Sequence, residues 1–232
     1  MSEFNVMARW ILAICCLCIA ASTEAADWPH WRGPTHNAVS TEHSGWDGTD
    51  WPMKLAWETK SEAGASAPIV VDGKVYSLGW TREPSPRDVV VCLDAKTGKR
   101  LWAQQYECPE YGRRSEGDKG LYSGPSASPT FDPKTGFLYT LSTDGDLNCW
   151  DTASEGKLVW SVNFYQQYEV PQRPLVGRRR LRDYGYTGSP LIHDEWIIAE
   201  VGDDEGNLFA FDKRTGQRVW TILQLRVHPA LI

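Results

Sequence analysis

The stretch Cys92-Leu-Asp-Ala-Lys-Thr-Gly-Lys-Arg-Leu-Trp102 decides how the chain is read, because the chain repeats it. Cys149-Trp-Asp-Thr-Ala-Ser-Glu-Gly-Lys-Leu-Val-Trp160 is a second copy, longer by one residue, and Ala210-Phe-Asp-Lys-Arg-Thr-Gly-Gln-Arg-Val-Trp220 is a third. In each, Asp can hydrogen-bond the turn backbone, Gly supplies a positive φ, and Trp closes the segment. Upstream, Ser66-Ala-Pro-Ile-Val-Val-Asp-Gly-Lys-Val-Tyr-Ser-Leu78 resembles the stretches 128–141 and 189–199, and Pro68, Pro129 and Pro190 stand 61 residues apart. A coincidence repeated three times at a fixed period is the signature of a repeat architecture.

Within a unit the pattern is that of strands. Lys74–Leu78, Phe137–Leu141 and Trp196–Glu200 are rich in β-formers. Asp72-Gly73, Asp144-Gly145 and Glu205-Gly206 are turn signals between them. The first unit reads as four antiparallel strands near 66–70, 74–79, 89–93 and 99–104. No amphipathic stretch of helix length interrupts this pattern after the N-terminal leader. A four-stranded meander repeated in this way is a β-propeller blade. The expected fold is all-β: a partial β-propeller of three four-stranded antiparallel blades, at about 65–106, 125–164 and 188–222, with the ring not closed. Segment 26–64 precedes the blades and contains Lys54-Leu-Ala-Trp-Glu-Thr59, an outer strand orphaned from its own blade, with Trp57 as its docking ring. Residues 223–232 form a tail that does not begin a fourth unit, so the chain reads as a truncated ring, expected to self-associate through open blade edges.

Each repeated Trp is expected on the outermost strand, packed over the Gly turn of a neighbouring blade, with Trp102 and Trp160 mostly buried. A buried aromatic removes some 150–250 Å² from water, roughly 4–6 kcal/mol before entropy losses. Cys92, Cys149 and Ala210 share one repeat position, which suits a small buried strand residue better than redox chemistry.

Composition agrees. The chain has 12 Trp, 20 Gly and 14 Pro in 232 residues, and 41% hydrophobic residues, which excludes a coiled coil, a collagen-like chain and a membrane bundle. A net charge of −6 argues against non-specific nucleic-acid binding.

Residues 1–25 read as a signal peptide. Arg9 precedes an uncharged run from Trp10 to Thr23, fourteen residues long, and small residues around Ala25 suit cleavage. A transmembrane span needs about 20 apolar residues. The protein is thus expected to be exported to the periplasm or cell envelope. Cleavage leaves Cys92, Cys108 and Cys149, an odd number from which no complete disulfide framework can be built.

Other constellations are weak. Asp144-Gly-Asp-Leu-Asn148 with Glu155 imitates a calcium loop, but Cys149 stands where the sharp turn needs Gly. Glu200-Val-Gly-Asp-Asp-Glu-Gly206 reads as a solvated turn. Arg178-Arg-Arg-Leu-Arg182 lies in an insertion, 165–187, and reads as a solvated face, with an anionic partner as its alternative. No catalytic, cofactor-binding or metal-binding residue is assigned.

The repeats resemble the tryptophan-docking motif of pyrroloquinoline-quinone (PQQ) type propellers. Ala210-x-Asp212-x-x-Thr215-Gly216-x-x-x-Trp220 matches it, Cys92–Trp102 matches with Cys for Ala, and Cys149–Trp160 is stretched by one residue. Asp27-Trp-Pro-His-Trp-Arg-Gly-Pro-Thr-His-Asn-Ala-Val-Ser40 is similar to the opening of exported bacterial members. The resemblance implies one of two functions. One is a non-catalytic scaffold that binds envelope proteins through strand edges or loops, similar to outer-membrane protein assembly propellers. The alternative is a relative or remnant of a quinoprotein alcohol or sugar dehydrogenase, which would need PQQ, calcium ligands and a general-base Asp. Many such dehydrogenases carry adjacent cysteines, and the only adjacent pair here, Cys15-Cys16, falls in the leader. The scaffold reading is therefore preferred, with no enzymatic activity and no cofactor.

Overall fold

The computed structural model describes residues 25–43, 45–49, 54–108, 124–168, 185–202 and 208–222. The leader up to Glu24, the basic cluster Arg178–Arg182, the Glu205-Gly206 turn and the tail 223–232 lie outside them.

Three four-stranded antiparallel sheets form, each a meander in chain order. The first holds β1 (Ile69–Val71), β2 (Lys74–Thr81), β3 (Arg87–Asp94) and β4 (Arg100–Glu107). The second holds β5 (Thr130–Asp132), β6 (Phe137–Leu141), β7 (Asp146–Asp151) and β8 (Lys157–Asn163). The third holds β9 (Leu191–His193), β10 (Trp196–Glu200), β11 (Leu208–Asp212) and β12 (Arg218–Ile222). A single helical turn, α1 (Phe164–Gln167), follows β8. The fold is the expected all-β partial propeller with an open ring.

The first strand of every blade is shorter than the sequence pattern suggests. It begins immediately after Pro68, Pro129 or Pro190. Proline has no N–H to give to a ladder, so pairing starts one residue later. The tight β1–β2 turn puts Asp72 at φ 49° and Gly73 at φ 65°, the two positive values that a two-residue hairpin of matching twist requires.

The repeat extends to register. Cys92 faces Trp102, Cys149 faces Trp160 and Ala210 faces Trp220 across the third and fourth strands, and a β-bulge follows each pair. All three small residues are fully buried. The core lies between sheets. Ile69, Tyr76, Leu78, Val90 and Cys92 of the first blade meet Leu138 and Trp150 of the second. Leu141, Leu147, Cys149 and Trp160 of the second meet Ile197, Ala199, Phe209 and Phe211 of the third.

The segments leading into the first strands bond to one another: Ala65 N–H to Pro125 O at 2.9 Å, Ser128 N–H to Ser189 Oγ at 2.9 Å, and Thr130 Oγ1 to Pro190 O at 2.6 Å. They gather the first strands together while β4, β8 and β12 lie at the opposite edges of their sheets. An N-terminal strap crosses the first two blades. Trp28 exchanges both backbone hydrogen bonds with Val70, and Phe131 N–H donates to Pro29 O at 2.8 Å.

One expectation is corrected. Lys54–Thr59 forms no strand, and the next backbone pairing after it is an isolated bridge between Ala63 and Trp80. Among the described residues no inner strand lies beside it to complete a ladder, yet Trp57 is not idle, as shown next.

Candidate functional site

Two features of the blades bear on function: the series of tryptophans that joins them, and a polar cleft between the first two.

Each tryptophan rests on the Gly turn of the blade that follows it. Trp57 lies on Gly98, Trp102 on Gly156 and Trp160 on Gly216. The indole N–H of Trp57 donates to Ala95 O at 2.9 Å and that of Trp160 to Lys213 O at 3.1 Å, equivalent carbonyls just after the motif Asp. Asp94 and Asp212 build these turns by accepting from Thr97 and Thr215. The Thr97 hydroxyl and N–H hold the Asp94 carboxyl below its ordinary range. Burial would raise that of Asp212, but the bonds from Thr215 and Arg214 outweigh it.

Trp160 is buried at 9% exposure, as expected, whereas Trp102 is only partly covered. The difference lies in the turn that receives it. The extra residue of the second copy folds Thr152–Ser154 into a 3-10 turn ending at Glu155 with φ 54°. Among the described residues Trp102 makes no indole hydrogen bond like those of Trp57 and Trp160.

Blades two and three are also joined by charge. Lys213 Nζ, fully buried, lies 3.1 Å from Asp132 Oδ2 and donates to Asp194 O at 2.7 Å. Burial pushes the Asp132 carboxyl up, but bonds from Lys134 N–H, Thr135 and Lys213 outweigh it and leave it below the usual range.

The cleft, of about 510 Å³, opens between the first two blades, lined by Ser85, Glu107, Cys108, Asp146, Asn163 and Gln166. The Cys108 thiol donates to the Asp144 carboxylate, and Asn163 Nδ2 donates to Asp146 Oδ1 at 2.7 Å. Cys108 N–H bonds Pro86 O after β4, as Phe164 N–H bonds Gly145 O after β8. Cys108 is therefore the first blade's version of a buried plug that closes the end of the outer strand, and both residues are buried. The sequence gives no sign of this cleft, because its residues come from three strand ends, the loop between β2 and β3, and the helical turn α1, which only the stacked blades bring together.

The calcium-loop imitation dissolves in the fold: Asp144 and Glu155 sit beyond opposite ends of β7. Among the described residues no three His, Cys, Asp or Glu are grouped so as to hold a metal ion. Cys92, Cys108 and Cys149 form no disulfide and are buried, and burial pushes the Cys92 thiol up to about 11 and that of Cys149 to about 12. Cys92 and Cys149 are inert packing residues at neutral pH.

PQQ is a flat ring bearing three carboxylates, so its pocket needs cationic donors and faces to stack on. The cleft presents Glu107 and Asp146 to such a group, and its described lining holds no Lys, Arg or aromatic ring. Like charges in a partly buried site repel, so this cleft does not fit PQQ.

Blades joined by tryptophans on glycine turns define a PQQ-like β-propeller. The family described as outer membrane protein assembly factor BamB matches residues 86–231, and the chain belongs to that family. The chain is also 29% identical over 190 residues to the dehydrogenase subunit of alcohol dehydrogenase (quinone) from Gluconobacter oxydans, covering 78% of the chain and 22% of that protein. Over 225 residues it is 27% identical to quinohemoprotein alcohol dehydrogenase ADH-IIG of Pseudomonas putida, covering 92% and 27%. The solved quinohemoprotein alcohol dehydrogenase of Comamonas testosteroni superposes with a TM-score of 0.61 at 26% identity, covering 88% of this chain and 28% of that one. The chain spans 22% and 27% of the length of these two curated relatives. Among the described residues no helix is long and apolar enough to cross a membrane.

Proposed function

We propose that the protein is an exported, non-catalytic propeller whose outer strands bind other proteins of the cell envelope. The observation that carries this reading is the rim. Among the described residues β4, β8 and β12 are each paired on one side only. Each presents an apolar side chain just before its docking tryptophan: Leu101, Val159 and Val219, between 41% and 50% exposed. An unpaired strand edge with an apolar side chain at one fixed repeat position suits addition of a partner strand, whose main chain bonds the edge while its side chains cover the apolar residues. The match to an outer membrane assembly family supports the same reading.

A second reading, kinship with the quinoprotein alcohol dehydrogenases, is favoured by the curated relatives and the superposition. The two separate experimentally. Chain supplied with PQQ and Ca²⁺ should reduce no redox dye on addition of primary alcohols; alcohol-dependent reduction overturns the scaffold reading. Conversely, photo-crosslinking from Val159 in intact envelopes should give discrete protein adducts. Replacing Leu101, Val159 and Val219 by Lys should abolish those formed from a probe at neighbouring Leu158, with the far-UV spectrum unchanged.

A further inference from the structure

Four consecutive residues of the N-terminal strap are tied to other parts of the chain. Ala26 N–H donates to Glu42 Oε1. Asp27 Oδ1 accepts the Asp72 N–H at 2.9 Å. Trp28 exchanges backbone bonds with Val70, and its ring lies on Gly33. Pro29 O accepts the Phe131 N–H at 2.8 Å. The last three attach the strap to the first two blades, and the first closes the strap on itself. Among the described residues the tied run begins at Ala26, and Ala25 and Ala26 are both exposed.

Glu42 is placed for its contact. Its own N–H donates to Ser40 Oγ at 3.1 Å, and the Ser40 hydroxyl donates to Glu42 Oε2 at 3.4 Å, which leaves Oε1 to Ala26. The sequence puts a leader boundary at the same place. Thr23 and Ala25 are small residues at the third and first positions before the bond to Ala26, at the end of the uncharged run.

We propose that the Ala25–Ala26 bond is a processing site and that Glu42 captures the amino terminus released there. Hydrolysis by a leader peptidase consumes one water and leaves a carboxylate on Ala25 and an ammonium on Ala26. The nitrogen that already donates to Glu42 thereby becomes a charged donor, which adds the attraction of opposite charges to a bond in place. The pair is exposed, so its effect is modest and screened by salt. A chain terminus frays unless it is tied down, and Glu42 ties this one just ahead of Trp28 and Pro29. Removal of the leader thus tightens the strap across the first two blades. The inference shares with the proposed function only the export of the chain; no envelope partner is involved.

The test uses the protein recovered from the envelope of cells expressing the full sequence. Its first residue, read by mass spectrometry, should be Ala26. The Ala26 α-amino group, followed by NMR, should titrate above the usual range of a free terminus, about 7.7–8.0, and return to that range in Glu42→Gln. At pH 7 and low salt, the Val70 and Phe131 amides should exchange roughly two- to threefold more slowly than in Glu42→Gln or in a form made to begin at Ala25. Raising the salt to about 1 M should close the difference. The inference is overturned if the leader is retained or removed at another bond, or if the Ala26 amino group titrates alike with and without Glu42. It is also overturned if the form beginning at Ala25 is as well protected as the one beginning at Ala26. A retained leader would also undo the reading of residues 1–25 as a signal; the other results leave export standing and remove the capture alone.

Discussion

The indole of Trp160 lies on Gly216 and donates its N–H to Lys213 O at 3.1 Å, so the outer strand of the second blade ends on the third. Tyr139 donates to the same carbonyl at 2.9 Å. Blade-to-blade stability is concentrated in this joint. Trp160→Ala should cost roughly 3–5 kcal/mol, as for other large buried aromatics. Trp102→Ala should cost clearly less, because that ring is partly exposed and lacks the indole bond. Gly216→Ala should also be destabilising, because Gly216 holds φ at 72° and an added methyl would enter the Trp160 ring. Urea unfolding of the three variants gives the order; equal losses for Trp160→Ala and Trp102→Ala would refute it.

The blades were legible in the sequence because a repeat multiplies weak signals. One Asp-x-x-Thr-Gly-x-x-x-Trp is a turn, whereas three in phase fix strand order, register and the small residue opposite each Trp. Other features were not legible for physical reasons. The first strands are cut short by Pro68, Pro129 and Pro190, where a missing donor overrides β propensity. Lys54–Thr59 has strand composition but, among the described residues, no strand to pair with, so it takes no strand form. The cleft at Glu107, Cys108 and Asp146 arises from residues as far apart in the chain as Ser85 and Gln166, each of which alone looks like a loop or a strand end.

The buried Lys213–Asp132 pair links hairpins of adjacent blades, and removing Lys213, which also lies 3.4 Å from Glu195 Oε1, leaves the buried Asp132 carboxylate without its cation. Lys213→Ala should cost roughly 3–5 kcal/mol, while replacing both residues by Met and Leu should recover most of it. The pair also sets an acid limit. The folded Asp132 carboxyl titrates below its unfolded value, near 3.9. Its contribution is therefore complete above that value and is lost as pH falls through the lower folded one. Asp94 and Asp212, also lowered, add to the same slope. Urea midpoints measured from pH 7 to pH 2.5 should fall most steeply below about pH 4, and less steeply there in Asp132→Asn.

Cys92 and Cys149 should behave as hydrocarbon. With Cys15, Cys16, Cys18 and Cys108 replaced by Ser, the native chain should react with a thiol reagent at pH 8 only at the rate of unfolding, since burial raises the two remaining thiols to about 11 and 12. Cys92→Ala should cost about 1 kcal/mol, the order of one small deletion from a core, because Ala210 fills the same register position in the third blade. Fast labelling of folded protein would show that the sheets open at these sites.

The N-terminal strap should loosen in mild acid. His30 stacks on His36 with ring centroids 3.8 Å apart. Burial lowers the His30 pKa, the bond to Trp31 O works the other way, and the His36 charge lowers it further. A histidine lowered in the folded state takes up its proton more readily once detached. Attachment is thus strongest above the unfolded value, about 6.5, and weakens as pH falls below it, until the folded group is itself protonated. The strap provides its own reporters, because the Val70 and Phe131 amides donate to Trp28 O and Pro29 O. Their hydrogen exchange, corrected for intrinsic rates, should accelerate between pH 7.5 and pH 5, while the amides of β7 remain protected. His36→Gln removes the like charge and should shrink the acceleration. Equal protection of Val70 and Phe131 at both pH values would show that the histidine pair does not govern the strap.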